Sequence, residues 1–188
     1  MAKEFPIVFL IDNSQAMFGK NFHLFVQKIQ EIKRSMIQDP NVLETGRVMV
    51  WAVNKDIQPL NEFQDISDLF RFDSESKIKI SNSGQLESNF GDAFNRLYSV
   101  LASRDTKKSF RPLVVSFMPI LPSDEWRETA VKLEKIGNLV CISEESVRLE
   151  LAKVIKDCFS INEKWPEYYI TGLLQSWNSA WKNRGFGV

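Results

Sequence analysis

Histidine is nearly absent from this chain: His23 is the only one in 188 residues. That removes the ingredients of Ser-His-Asp and Cys-His nucleophile systems and of multi-histidine metal sites. His23 itself falls beside Phe22 in a helical pattern and reads as structural or exposed. Cysteine is scarce too. Cys141 and Cys158 both stand among apolar neighbours, where a reduced thiol packs as a small hydrophobe, so both read as buried free thiols. Glycine is sparse: Asp12 to Gly19 holds one, which excludes the G-x-G-x-x-G turn of a dinucleotide fold, and no phosphate loop is present. No apolar run approaches the roughly 20 residues that span a bilayer. The N-terminus lacks a signal-peptide arrangement, so the expected location is cytoplasmic. There is no charge excess either, with 24 Lys+Arg against 24 Asp+Glu. A general nucleic-acid or anionic-membrane binder would carry a basic bias, so neither is expected as a partner.

What is present is ordinary globular composition, 44% hydrophobic and 26% charged, with 14 Phe. The length fits one domain over 1–188. The most informative stretch is Pro6-Ile7-Val8-Phe9-Leu10-Ile11-Asp12-Asn13-Ser14-Gln15-Ala16. Five unbroken apolar residues, Ile7 to Ile11, read as a strand buried on both faces at the centre of a parallel sheet. Asp12 and Ser14 then fall at the carboxyl end of that strand, where open α/β sheets bind ligands.

Along the chain, Phe22, Phe25, Val26, Ile29, Ile32 and Met36 predict an amphipathic helix over 20–38, ended by Asp39-Pro40. Arg47 to Val53 is a second buried strand. Ile57 to Phe63 returns as a short antiparallel edge strand, where Pro59 is tolerable. Ile66 to Phe70 reads as one helical turn, Lys77 to Ile80 as a short exposed strand and Ser81 to Gly84 as a turn. A helix follows over about 90–103, with Ser88 or Asn89 as its cap and Phe90, Phe94, Leu97 and Leu101 on its inner face. Leu113 to Met118 is a strand. Ser123 is expected to cap the next helix, which stops at Gly137. Strand Asn138–Ile142, a helix over 146–156, strand Cys158–Ile161 and a last helix opened by Pro166 complete the chain. This alternation predicts an α/β doubly wound, mostly parallel six-stranded sheet, with one short antiparallel edge strand and helices on both faces.

Three places carry a resemblance to a known family. Asp12-Asn13-Ser14-Gln15-Ala16 is similar to the D-x-S-x-S loop of the von Willebrand factor A (VWA) family, part of its metal-ion-dependent adhesion site. Ser88-Asn89-Phe90-Gly91-Asp92-Ala93 stands where members carry T-x-x-G-x-A. Pro112 to Phe117, followed by Pro122-Ser123-Asp124-Glu125-Trp126, resembles the tellurite-resistance-associated branch, whose third loop continues toward P-T-D-D-W. The resemblance spans nearly the whole chain and implies the Rossmann-like VWA fold in a bacterial, cytoplasmic setting.

In the family, loop hydroxyls and aspartates hold a divalent cation whose last position an acidic partner side chain fills. Here Asp12, Ser14 and Ser88 remain as ligand candidates, while Ala16 lacks the hydroxyl and Pro119 the carboxylate. Mg²⁺ requires near-octahedral oxygen coordination, so the loss of both donors makes the site degenerate. No metal or other cofactor is expected, unless an acid such as Asp92 or Asp124 compensates. The resemblance therefore implies a non-catalytic module that binds another protein through its loop face: Asp12, Asn13, Ser14, Gln15, Ser88 and Pro119, with docking loops 12–18, 84–88 and 119–123. Three other readings stay open. One is Mg²⁺-dependent adhesion through a rebuilt site. A second is a phosphohydrolase using Asp12, although its D-x-D pattern would need an acid where Ser14 stands. In the third, Asp12 and Ser14 serve structure alone, bonding loop amides. Trp126, Trp165, Trp177 and Trp181 read as core packing, with a partner-binding patch as the sharper alternative.

Overall fold

The computed structural model describes residues 3–17, 20–71, 86–105, 109–164, 168–170 and 172–173. The expected strand over 77–80, the turn over 81–84, Phe18, Trp165, Pro166, Trp177 and Trp181 lie outside them.

The run of apolar residues after Glu4 forms strand β1 (Phe5–Asp12), buried along its whole length. A strand pairs in parallel register along each of its edges, and helices cover both of its faces. β2 (Gly46–Val53) pairs with it from Phe5↔Gly46 to Asp12↔Val53. β5 (Leu113–Met118) pairs from Ile7↔Leu113 to Ile11↔Phe117. Outward from β5 lie β6 (Asn138–Ser143) and β7 (Asp157–Ser160), both parallel. On the other side β2 carries two short antiparallel partners, β3 (Ile57–Pro59) and β4 (Gln64–Asp65). Among the described residues the sheet therefore has seven strands rather than the expected six. The reason is local: past Pro59, Leu60 N still donates to Val50 O at 2.8 Å, but Val50 N donates to Asn61 Oδ1 at 2.6 Å rather than to the returning backbone, and pairing resumes at Gln64.

Alternate residues of each strand face opposite sides, and each side has its own core. Ile7, Phe9, Ile11, Val50, Val115 and Phe117 pack against Phe25, Ile29, Ile32 and Met36 of helix α1 (Lys20–Ile37). Val8, Leu10, Trp51, Val114 and Met118 face α3 (Phe90–Ala102) and α4 (Arg127–Ile136), through Phe90, Phe94, Leu97, Trp126, Ala130 and Leu133. Truncating a fully buried phenylalanine such as Phe94 would cost about 3–5 kcal/mol. Trp126 is thus a core residue, and His23 is exposed with its ring against Phe22.

Two helix starts depart from the expectations. Asp39-Pro40 ends α1 and at once begins a short helix, α2 (Pro40–Thr45). Asp39 Oδ1 accepts from Asn41 N at 2.9 Å and Val42 N at 3.4 Å, with proline in the first helical turn. The missed signal was Asp-Pro read as cap plus first turn. Ser123 does not cap α4, which starts at Arg127 without a side-chain cap; its hydroxyl is committed to the loop around Ser88. Helix α5 (Glu145–Leu151) is shorter than the 146–156 expected, and Ile66–Arg71 forms the anticipated turn as a 3-10 helix.

Candidate functional site

β1 ends at Asp12, level with Val53 of β2. The chain then turns tightly because Asp12 Oδ1 accepts from Ser14 N at 2.7 Å. Ser14 Oγ in turn accepts from Ala16 N at 3.3 Å, and Met17 N donates to Ser14 O at 3.1 Å. These side chains substitute for a regular ladder at a strand end, as short polar side chains do in turns. Asn13 N still donates to Val53 O at 2.9 Å, which holds the loop against β2.

The second loop meets the first at Ser88. Ser88 Oγ donates to Asp12 Oδ2 at 2.6 Å. Both carboxylate oxygens of Asp12 are thus occupied, and the residue is fully buried. Burial raises its pKa above the ordinary 3.8, and the hydrogen bonds from Ser14 and Ser88 offset part of that rise.

The third loop locks onto the second. Ser88 N donates to Ser123 Oγ at 3.0 Å, and Ser123 N donates to Ser88 O at 2.9 Å. Asp124 then accepts from Gly91 N at 2.8 Å and Asp92 N at 2.7 Å. A carboxylate at this place satisfies orphan amides of α3 and suits the positive end of its dipole. Asn89, which holds the cap position, makes no side-chain cap; its amide donates instead to Lys55 O at 2.9 Å. Gly91 permits this docking. A Cβ there would lie 2.5 Å from Glu125 O and 2.8 Å from Asp124 Oδ2. The glycine of the second loop is thus a matter of close approach rather than of backbone conformation.

The structure brings Asp12, Asn13, Ser14 and Ser88 together, with Pro119 at the end of β5 on the same edge. All five are buried, and Gln15 alone of the six predicted residues is exposed. Asp92 pairs with Arg96 at 2.9 Å, and Asp124 is taken up by α3. Among the described residues, no group of three or more His, Cys, Asp or Glu is placed to hold a metal ion. Ser123 and Asp124 are the site residues that sequence reasoning misassigned. The available signal was Gly91, a helix start lacking a cap of its own and small enough to receive one from another loop. Leu86 and Leu121 stand exposed at the rim, by 61% and 37%, and Glu87 is exposed beside them.

A doubly wound sheet with these three loops at its carboxyl edge defines a VWA-like fold. No family model matches the chain, and no curated protein matches it. Solved structures do. The SpRpn10 VWA domain aligns with a TM-score of 0.58 over 84% of this chain and 86% of that one, at 16% identity. Proximal thread matrix protein 1 (PTMP1) from the mussel byssus gives 0.64 at 13% identity, over 93% of this chain and 47% of that one. The pilus adhesin SpaC from Lactobacillus rhamnosus GG, in its open conformation, gives 0.66 at 8% identity over 93% of this chain. The chain spans about half of PTMP1, 47%, and 30% of SpaC. At these identities the likeness is one of fold.

Proposed function

We propose that this chain is a non-catalytic module that binds another protein through the rim of its three-loop edge, without a metal ion. The observation that carries this reading is the fate of the family's ligand positions. Asp12, Ser14 and Ser88 are buried and bonded to one another or to loop amides, while Ala16 and Pro119 have no side-chain oxygen to give. Such a donor set does not fit a hard divalent cation, which needs about six oxygens. The same burial stands against Asp12 as a phosphohydrolase nucleophile, since a fully buried carboxylate offers a substrate no open approach.

Among the described residues, those accessible at this edge include Gln15, Leu86, Glu87, Leu121 and Ser123, a polar and aliphatic rim on a hydrogen-bonded base. Rigidity favours association because little side-chain or loop entropy is lost on docking. A bacterial, cytoplasmic setting belongs to the proposal through the tellurite-resistance-associated resemblance. Among the described residues, no helix is long and apolar enough to cross a membrane.

The test is cross-linking capture from an extract, quantified species by species in chelator and in millimolar Mg²⁺. Wild type is compared with Leu86→Glu, Leu121→Glu and, as a control on the outer face of α4, Val131→Glu. The reading requires at least one species that both rim variants lose, that Val131→Glu retains, and that ignores the cation. Equal capture by all four proteins would overturn the docking face. Capture that needs Mg²⁺ would restore the rebuilt-site reading.

A further inference from the structure

We propose that Cys141 and Cys158 form a reversible oxidation site, in which a hydroperoxide oxidises Cys158 and Cys141 closes an intramolecular disulfide. The two residues are direct partners in the parallel ladder between β6 and β7, Cys141↔Cys158. Partners in register share a pleat position, so both side chains leave the sheet on one face, and both pack with the second core. Neighbouring strands lie about 4.8 Å apart, inside the Cα window of about 4.4–6.8 Å that a disulfide accepts. Cβ atoms at about the strand spacing must close by roughly 0.3–1 Å to reach disulfide geometry. β7 can supply that shift, because it is four residues long and ends the sheet.

The two thiols are not equivalent. Cys141 is buried, with its Sγ 3.5 Å from Met118 Sδ. Cys158 is partly exposed, with its Sγ 3.7 Å from Arg148 O and 4.0 Å from Ser143 Oγ. The neighbouring Cys141 thiol, with Ser143 and the Arg148 charge, holds the Cys158 pKa below its ordinary value against desolvation and the Glu163 charge. Burial pushes the Cys141 thiol well up. The more accessible sulfur is thus the one a peroxide meets first, and its thiol is shifted in the acidic direction while that of Cys141 is not.

The steps balance. The Cys158 thiolate attacks one peroxide oxygen, the O–O bond breaks, and hydroxide (or an alkoxide) leaves, giving a sulfenic acid. Cys141 sulfur then attacks Cys158 sulfur and loses its proton. The S–S bond forms, the S–OH bond breaks and water departs. Two thiols are oxidised by two electrons and one peroxide is reduced.

The experiment treats the folded full chain with a few equivalents of hydrogen peroxide, then counts alkylatable thiols after denaturation and maps disulfide peptides. Wild type should fall from two thiols to none, lose about 2 Da in a Cys141–Cys158 linked peptide, and recover both thiols with dithiothreitol. Cys141→Ala, an apolar replacement at a buried position, should stop at a Cys158 sulfenic acid trapped by dimedone. Cys158→Ser should keep its Cys141 thiol. Circular dichroism on each variant confirms that it is folded. Retention of both thiols in wild type, oxygen addition without a cross-link, a disulfide between two chains, or oxidation of Cys141 in the Cys158→Ser variant would each overturn the proposal.

Discussion

Ser88 Oγ donates to Asp12 Oδ2 at 2.6 Å across 76 positions of sequence. In the adhesion-site pattern that the sequence resembles, a hydroxyl and a carboxylate at these places both point at a cation. Here they point at each other. The contact joins the loop after β1 to the start of α3, and Ser123 and Asp124 extend the same network to the loop before α4.

Removing the Asp12 carboxylate should cost stability through the donors it leaves behind. Asp12→Ala orphans Ser14 N and Ser88 Oγ in a buried place, at about 1–3 kcal/mol for each donor. Asp12→Asn can accept from Ser14 N and donate to Ser88 Oγ, so it should lie within about 1 kcal/mol of wild type at neutral pH. Urea midpoints separate the two, and equal losses would show that hydrogen-bond satisfaction is not what Asp12 provides.

The same pair of proteins reports the Asp12 charge. Its folded pKa is raised above the ordinary value of 3.8 by burial, so the folded chain holds this proton more tightly than the unfolded one. The resulting stability is fully present below the unfolded pKa and is lost as pH rises through the folded pKa. The unfolding free energy of wild type minus that of Asp12→Asn should therefore fall as pH rises above about 4 and then level off. A difference that rises with pH would contradict the burial-dominated environment.

Gly91 and Asp124 should fail for one shared reason. Alanine favours a helix over glycine by about 1 kcal/mol, but a Cβ at Gly91 would meet Glu125 O at 2.5 Å. Gly91→Ala should thus destabilise by about 1–3 kcal/mol net. Asp124→Ala removes the cap of α3 and should cost about 1–2 kcal/mol, and Asp124→Asn less. Because both act on the docking of one loop, the double variant should lose less than the sum. A stabilised Gly91→Ala protein would mean that the loop has room to retreat.

Divalent cations should leave thermal unfolding unchanged. An ion at roughly 100 times its dissociation constant would add about 2.7 kcal/mol, and each kcal/mol is worth about 2–4 °C for a domain of this size. Scans in millimolar Mg²⁺ or Mn²⁺ against chelator, on wild type and Asp12→Ala, test this. A shift in wild type that Asp12→Ala abolishes would establish a rebuilt site.

Much of the architecture was legible because its signals are local. The run Ile7 to Ile11 has the composition of a doubly buried strand, and the steps from Phe25 to Met36 have the helical period. Ala16 and Pro119 could be read as lacking metal donors from their identities alone. The second antiparallel strand was not legible, because two residues at Gln64–Asp65 carry no pattern. Ser123 was misread because it has the local form of a helix cap, while its actual partner is 35 residues away.

The sequence by itself determined the order of the five parallel strands and of the main helices packed on them, the two apolar faces of the sheet and the donors available at its carboxyl edge. These follow from side-chain chemistry and from periods of two and 3.6 residues, which are properties of short segments. Only the tertiary structure decided that Asp12 is buried rather than presented, that Asp124 caps a helix other than its own, and that Cys141 stands opposite Cys158. Each depends on which distant segments share a register or a close contact. That choice is made by packing both faces of the sheet together, and no short stretch of sequence contains it.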